Sequence, residues 1–327
     1  MRIKFTIILI ALTNILFAQN YQDTQGKLDI TSGGQANFTL PIALPPSINS
    51  VGPTINLTYT SGNATGIAGQ GWNISSISSI SRVATRLDVE GFRDGVDFDQ
   101  DDRLSLDGQY LLLKTGSYWS SGSTYQTEVQ SNIKIEMQGS GSTMCFIVTA
   151  PDGSRSWYGN YNGLVASDLS AFYITRYEDT DGNFMTYHYL SSFNSLTIEE
   201  IRFSANTNSN PTPLNKIVFK YQDAARTESF YIKEVEVKRS KILDYIEVFT
   251  DNLRFKKYEL THIVDENGYQ RISNIQEFNN LNESANPIVF EYNRTEHTGL
   301  DKWIFYQGAF SSTFNHVVSG DFDGDGN

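Results

Sequence analysis

The sequence predicts an all-β protein built as an antiparallel array of hairpins, and three observations carry that expectation. Eighteen Tyr and twenty Phe among 327 residues suit pleated surfaces, where aromatic rings pack across neighbouring strands. Apolar residues alternate with polar ones at a period of two in segment after segment. Between these segments stand Asp107-Gly108, Asp152-Gly153, Asp181-Gly182 and Asn267-Gly268, dipeptides that take the positive-φ turns matching strand twist. No segment carries a sustained helical pattern with caps, so helix content should be small.

Taken in order, the chain begins with Arg2 and Lys4 before an apolar run from Phe5 to Phe17 and then Ala18-Gln19. This reads as a signal peptide over residues 1–18, although Leu16 stands where a small residue is preferred. The run falls short of the ~20 residues that span a bilayer, so export is expected, with the mature chain starting at Gln19. Phe38 to Pro46 reads as an extended edge strand running into a polyproline turn, because proline cannot donate to a ladder. Ile55, Leu57 and Tyr59 mark a half-buried strand, and Gly62, Gly66, Gly69 and Gly71 surround a loop that closes on Trp72, a large aromatic anchor.

Ile74, Ile77 and Ile80 are spaced at three among serines, yet serine density and the glycine-rich entry favour strand or turn over helix. Asp88 to Gly108 reads as an acidic loop. Further strands are expected at Tyr110–Leu113, Ile133/Ile135/Met137, Phe146/Val148, Ile217/Phe219/Tyr221, Val235/Val237, Tyr245/Glu247/Phe249 and from Phe255 to Leu260. The segments Tyr173 to Asn183 and Tyr258 to Gly268 resemble one another as strand, acidic turn and strand, a candidate degenerate repeat.

Composition excludes some functions. A net charge of −12 that no Lys/Arg cluster offsets repels a phosphate backbone, so nucleic acid is not an expected partner. The single cysteine, Cys145, lies in the apolar stretch Met144 to Val148; it can form no internal disulfide and reads as a buried small hydrophobe. The four histidines, His188, His262, His297 and His316, show no metal-binding spacing. Neither a nucleophile elbow nor a phosphate loop is present. Glu234-Val235-Glu236 has the Glu-x-Glu spacing of ADP-ribosyltransferases, but it sits in an alternation with Val235 and Val237 inward and charges outward, which a solvated strand face explains.

The most specific chemistry is at the end of the chain. Asp321, Asp323 and Asp325, with Gly324 and Gly326 between and after them, can turn three oxygens inward toward a hard cation such as Ca²⁺. The later acidic ligand that completes such a loop is missing, so binding in this fragment should be weak; the rival reading is an acidic surface turn. Asp97 to Asp102 imitates the loop but has Asp102 where the sharp turn needs glycine, and reads as a solvated turn.

The run from Gly33 to Arg82, with Leu40-Pro41-Ile42-Ala43-Leu44-Pro45-Pro46, Tyr59-Thr60-Ser61-Gly62, Gly69-Gln70-Gly71-Trp72-Asn73-Ile74 and Ile80-Ser81-Arg82, resembles the N-terminal domain of the Salmonella plasmid virulence protein SpvB. That domain is shared with the B components of insecticidal Tc toxin complexes. The likeness continues through Arg103 to Gly108, Tyr125 to Glu128, Phe146 to Gly159 and Asp179 to Tyr189. The tail from Ser319 to Asn327 resembles the opening of an FG-GAP/VCBS propeller blade. The resemblance implies an SpvB-like β domain over residues 19–300 and a propeller start over 301–327. It also implies an antiparallel hairpin array forming part of a β shell that leads into a β-propeller. In Tc toxins such a shell, made with Rhs/YD repeats, holds an unfolded payload. The implied function is therefore a non-catalytic, encapsulating region of a secreted toxin or virulence protein. Its implied partners are a toxin payload domain and an Rhs-type shell or Tc A-type component. The alternative is a calcium-stabilised surface adhesion module.

Overall fold

Strands β1 (Lys27–Ile30), β2 (Ala36–Pro41), β3 (Asn56–Thr60), β4 (Thr65–Gly66), β5 (Gly69–Gln70) and β6 (Trp72–Ile74) form a small antiparallel sheet in the order β1-β2-β3-β6-β5-β4. The computed structural model describes residues 23–292. β2 is not an edge strand, contrary to the reading of its prolines: β1 flanks it on one side and β3 on the other. Pro41 is tolerated because pairing with β1 stops at Thr39. Ile42 N–H donates to Ile55 O at 2.9 Å, so by alternation the donor that Pro41 lacks would have faced the side where β1 has already ended.

Next come β7 (Ser79–Val83), the helical turn α1 (Leu87–Glu90), β8 (Arg103–Leu106), β9 (Gln109–Thr115), β10 (Thr124–Thr127), β11 (Lys134–Gln138), β12 (Cys145–Thr149), β13 (Arg155–Gly159) and β14 (Ala171–Glu178). From β8 onward each strand pairs with the one before it, and β14 also pairs with β7, opposite Ser79 to Ser81. The result is a closed eight-stranded antiparallel barrel, which leaves no exposed edges along its wall. Its filling is read from the fully buried side chains Ile80, Leu104, Leu111, Ile135, Met137 and Phe146. Aromatic edges meet there, with Phe146 and Phe172 ring centroids 5.0 Å apart. β8 falls inside the segment expected to be loop: Leu104 is fully buried and Leu106 packs against the core, and only two non-loop residues of that face were available to signal it.

β14 is shared. Its first half pairs with β7, whereas on the same side its second half, Arg176 to Glu178, pairs with β15 (Asn183–Ser192). From there β16 (Ser195–Asn206), β17 (Asn215–Ile232), β18 (Val235–Thr250), β19 (Leu253–Val264), β20 (Gln270–Asn279) and β21 (Ile288–Val289) continue as an antiparallel meander. Val235/Val237 and Tyr245/Glu247/Phe249, expected as separate strands, belong to the single strand β18. No Gly or Pro lies between them to break it, and its deeply buried residues are Ile242, Leu243, Ile246 and Val248.

The four expected hairpin turns all form. Asp107 and Gly108 both have positive φ, 48° and 84°, the type I′ geometry of a two-residue hairpin. The two resembling segments fold alike: Asp179 Oδ1 accepts the N–H groups of Asp181 and Asn183, and Asp265 Oδ1 accepts those of Asn267 and Tyr269.

The small sheet packs its apolar face, Phe38, Leu40, Leu57 and Trp72, into one continuous core with the meander's Leu243, Ile246, Tyr258 and Ile275. Polar ties fix the contact: Ala43 N–H donates to Tyr258 Oη (3.1 Å), Leu243 N–H to Ile67 O (2.8 Å) and Arg271 Nε to Gln70 Oε1 (2.6 Å).

Candidate functional site

Residues singled out in the sequence for chemistry fall at separate places. Cys145 is buried in β12, and burial pushes its thiol above the usual range, which makes it inert. Glu236 is paired with Lys238 at 3.0 Å, and that partner holds its carboxyl below the usual range; Val237 beside it is buried, as the alternating-strand reading expects, whereas Lys233 and Glu234 stand in the β17–β18 turn and not in the strand. His188 in β15 and His262 in β19 are on different strands, and burial lowers the basicity of both. His297, His316, the signal-peptide segment and the calcium candidates Asp321, Asp323 and Asp325 lie outside the described residues.

The densest polar site gathers at loop 91–102 between α1 and β8. Asp102 was expected in a solvated turn; Asp99 and Asp101 are indeed exposed, but the Asp102 side chain is fully buried. Its carboxylate accepts the N–H groups of Asp97 and Phe98, both at 2.9 Å, and an Arg82 guanidinium N–H at 2.6 Å. Burying an anion is tolerable only with such partners. Arg82 in turn lies 4.0 Å from the centre of the Trp119 ring, whose Nε1–H donates to Asp102 O at 3.0 Å. Glycine is not required, because the side chain of Asp102 itself closes the turn.

Beside it Arg103 pairs with Glu90 of α1 at 3.0 Å and stacks 4.1 Å from the Tyr118 ring centre, a cation–π contact. Burial works to raise the Glu90 carboxyl, but the hydrogen bond and charge of Arg103 outweigh it and the net shift is downward. Tyr110 and Tyr118 donate to the same carboxylate at 3.2 and 3.4 Å, and burial, with the Glu90 charge, raises the Tyr110 phenol. Two arginines, two carboxylates and three aromatic side chains thus form a polar network beside the barrel strands β7 to β9. It fixes a loop rather than presenting a reactive group.

Asp94, Asp97 and Asp99 bring one carboxylate oxygen each within 4.8 Å of one another. The sequence reading missed Asp94, which lies outside the Asp97–Asp102 run. Asp97 commits its Oδ2 to Lys233 at 3.1 Å, and this ion pair holds its carboxyl below the usual range. The group is therefore also the anchor of the β17–β18 turn.

Known folds and sequences place this architecture. The structure titled TcdB2-TccC3 superposes with a TM-score of 0.65 at 14% identity over 83% of this chain, which spans 17% of that one. The Photorhabdus luminescens Tc holotoxin pore gives 0.65 at 13% identity, covering 84% of this chain and 16% of that one. The N-terminal domain of effector protein SpvB from Salmonella typhimurium strain LT2 gives 0.56 at 15% identity, covering 73% of this chain and 98% of that domain. At these identities the likeness is one of fold. No curated protein matches the chain in sequence. The family model described as SpvB, Salmonella virulence plasmid 65kDa B protein, matches residues 30–243, from the end of β1 through most of β18, and the chain belongs to that family.

Proposed function

We propose that this chain is the non-catalytic, encapsulating N-terminal region of a secreted bacterial toxin or virulence protein of the Rhs/Tc type. The observation that supports this best is the meander β15–β20, whose long strands continue outward from a closed barrel in a fold common to the TcdB2-TccC3 structure over 83% of the chain. A barrel has no free edge to extend, but a meander does. Residues 283–290, β21 among them, cover the β20 edge from Ser273 to Asn279, so in this reading further strands lengthen the wall by adding beyond β21. In this reading the partners are a payload domain and an Rhs-type shell or a Tc A-type component. The polar network around Asp102 and Arg103 stiffens the barrel from which the wall grows.

Limited proteolysis of the full-length gene product tests the reading. A payload held inside a shell is expected to survive protease as long as the shell is intact and to be cut once it is opened by denaturant. A carboxy-terminal region cleaved as fast in the native protein as in denaturant would overturn encapsulation. Export rests on residues 1–18, and N-terminal sequencing of secreted material should find Gln19 first. The tail Asp321, Asp323 and Asp325 belongs to the same reading as the start of a Ca²⁺ loop, which needs roughly six to eight oxygens. Calorimetry should therefore show weak or no Ca²⁺ binding in this chain and tighter binding in one extended through the next blade, abolished by Asp323→Ala. Absence of heat in the extended chain would remove the calcium assignment.

A further inference from the structure

A cavity of about 530 Å³ lies between the small sheet and the bent β17–β18 hairpin. The bend has a clear origin. Pairing between β17 and β18 jumps from Asp223↔Lys241 to Glu228↔Arg239, so Ala224 to Thr227 bulge out opposite Ser240 alone. The bulge is pinned to the β19–β20 turn: Ala225 N–H donates to Gln270 Oε1 at 2.6 Å, and Arg226 donates to Asn267 O at 3.1 Å while stacking 4.3 Å from the centre of the Tyr269 ring. Such a large, externally braced bulge re-aims the side chains on both strands.

What it aims is charge of one sign. In a chain of net charge −12, the cavity is lined by Arg226, Lys238, Arg239 and Lys241 against a single carboxylate, Glu228. Lys238 and Lys241 have ion-pair partners in Glu236 and Asp223, at 3.0 and 2.7 Å. Among the described residues no ion pair is made by Arg226 or Arg239. Guanidinium groups without a carboxylate partner on the wall of a concave site are suited to bind one from a ligand, bidentately. The rest of the lining narrows the ligand class. Tyr173 and Tyr189, their ring centroids 5.5 Å apart, lie along the wall; both phenols are occupied, by Asp168 Oδ2 and Ile174 O, so they offer mainly ring surface. Ser192 at the end of β15 and Ser195 and Thr197 at the start of β16 add hydroxyls to the lining. An aromatic surface, several hydroxyls and a pair of arginines are the complement of a polyhydroxylated ring carrying an oxyanion, and the volume lies in the range of small-molecule sites.

We propose that this cavity binds an acidic sugar, a hydroxyl-rich ring bearing a carboxylate or phosphate, with Arg226 and Arg239 taking the oxyanion. The site is independent of the encapsulating role: its failure would leave the shell reading standing, and the reverse also holds. Calorimetric titration of the protein with glucuronate and with glucose 1-phosphate tests it, with glucose and inorganic phosphate as comparators. At least one of the two acidic sugars should bind, glucose should not, and inorganic phosphate should bind more weakly than the sugar phosphate. Which sugar binds tells carboxylate from phosphate. Arg239 is exposed and lies 5.3 Å from the centre of the Phe230 ring, so Arg239→Gln should leave the melting temperature nearly unchanged and weaken binding at least about tenfold. Glu228→Gln should tighten binding, a sign that a merely structural role for the bulge does not produce. Failure of both acidic sugars to bind at millimolar concentration, equal binding of glucose, or Arg239→Gln binding as well as the native protein would overturn the proposal.

Discussion

Trp72 has no solvent exposure and touches Phe38, Tyr59 and Phe290, with ring centroids 5.9, 5.2 and 4.8 Å away. Trp72→Ala should therefore cost roughly 3–5 kcal/mol, and a thermal melt that barely moves would show that the small sheet is not anchored there. A second residue-scale expectation concerns pH. His262 faces Ala68 O at 3.1 Å through Nε2, so its neutral ring donates from that nitrogen and its buried Nδ1, which has no partner among the described residues, carries no proton. Protonation would bury an N–H without an acceptor, and burial accordingly lowers the pKa below the usual histidine value; His188 shifts the same way, with burial first and Arg202 second. In both cases the unfolded chain binds the proton more readily. Their contribution is complete above the unfolded value of ~6.5 and is lost as pH falls below it. Melting temperature should drop across that window, and His262→Gln should make the drop shallower; an unchanged slope would sink this account. Trp72 was legible because glycines crowd the segment before it. Asp102 was not: its burial depends on Arg82, twenty residues upstream, and on Trp119 downstream, and pairing between distant residues leaves no local mark.

At the scale of elements, the hairpins were legible where an Asp-Gly or Asn-Gly pair supplied the positive φ, and not in the β9–β10 and β11–β12 connections, whose Gly116, Gly122, Gly139 and Gly141 stand outside such pairs. Gly182 and Gly268 each sit at φ 84° in matching turns, which turns the suspected repeat into a shared turn geometry. Turns made without glycine were silent: Phe193-Asn194 joins β15 to β16 and Asp251-Asn252 joins β18 to β19, all four at positive φ. Strand lengths were underestimated for a related reason, since a long strand differs from two short ones only by the absence of a breaker. The β4–β5 hairpin gives the sharpest test of an element interface. Gly69 has φ 127°, and a Cβ there would lie 2.7 Å from Gln270 O, so neither backbone can yield cheaply. Gly69→Ala should destabilise the protein by about 1–3 kcal/mol and expose the β5–β20 contact to proteolysis. If the variant melts like the native chain, the small sheet is not docked through that approach.

For the molecule as a whole, burial is uneven. Barrel strands β9 to β12 carry buried side chains such as Leu111, Tyr125, Ile135 and Phe146, whereas β17 is buried only near its start, at Asn215 and Ile217 to Phe219. Hydrogen exchange should follow this gradient, slowest in the barrel and fastest in the half of the β17–β18 hairpin beyond the bulge; uniform protection along β17 would contradict it. Closure of the barrel was not readable in advance, because it depends on Ile80 meeting Phe172, a pairing across nearly the whole length of the barrel segment that no periodicity encodes. The fork in β14 has a consequence for the order in which a chain that emerges N-terminus first can fold. Every partner the barrel needs lies at or before Glu178, so it can close while the meander is still emerging, and the second half of β14 is then a ready template on which β15 zips. The small sheet emerges first yet finds its neighbours last, since Gln70 waits for Arg271 and Ala43 for Tyr258. Vectorial emergence thus leaves the N-terminal strands as the final latch, and a chain stalled before β19 would carry a finished barrel and an undocked apolar sheet, the species a chaperone would have to hold.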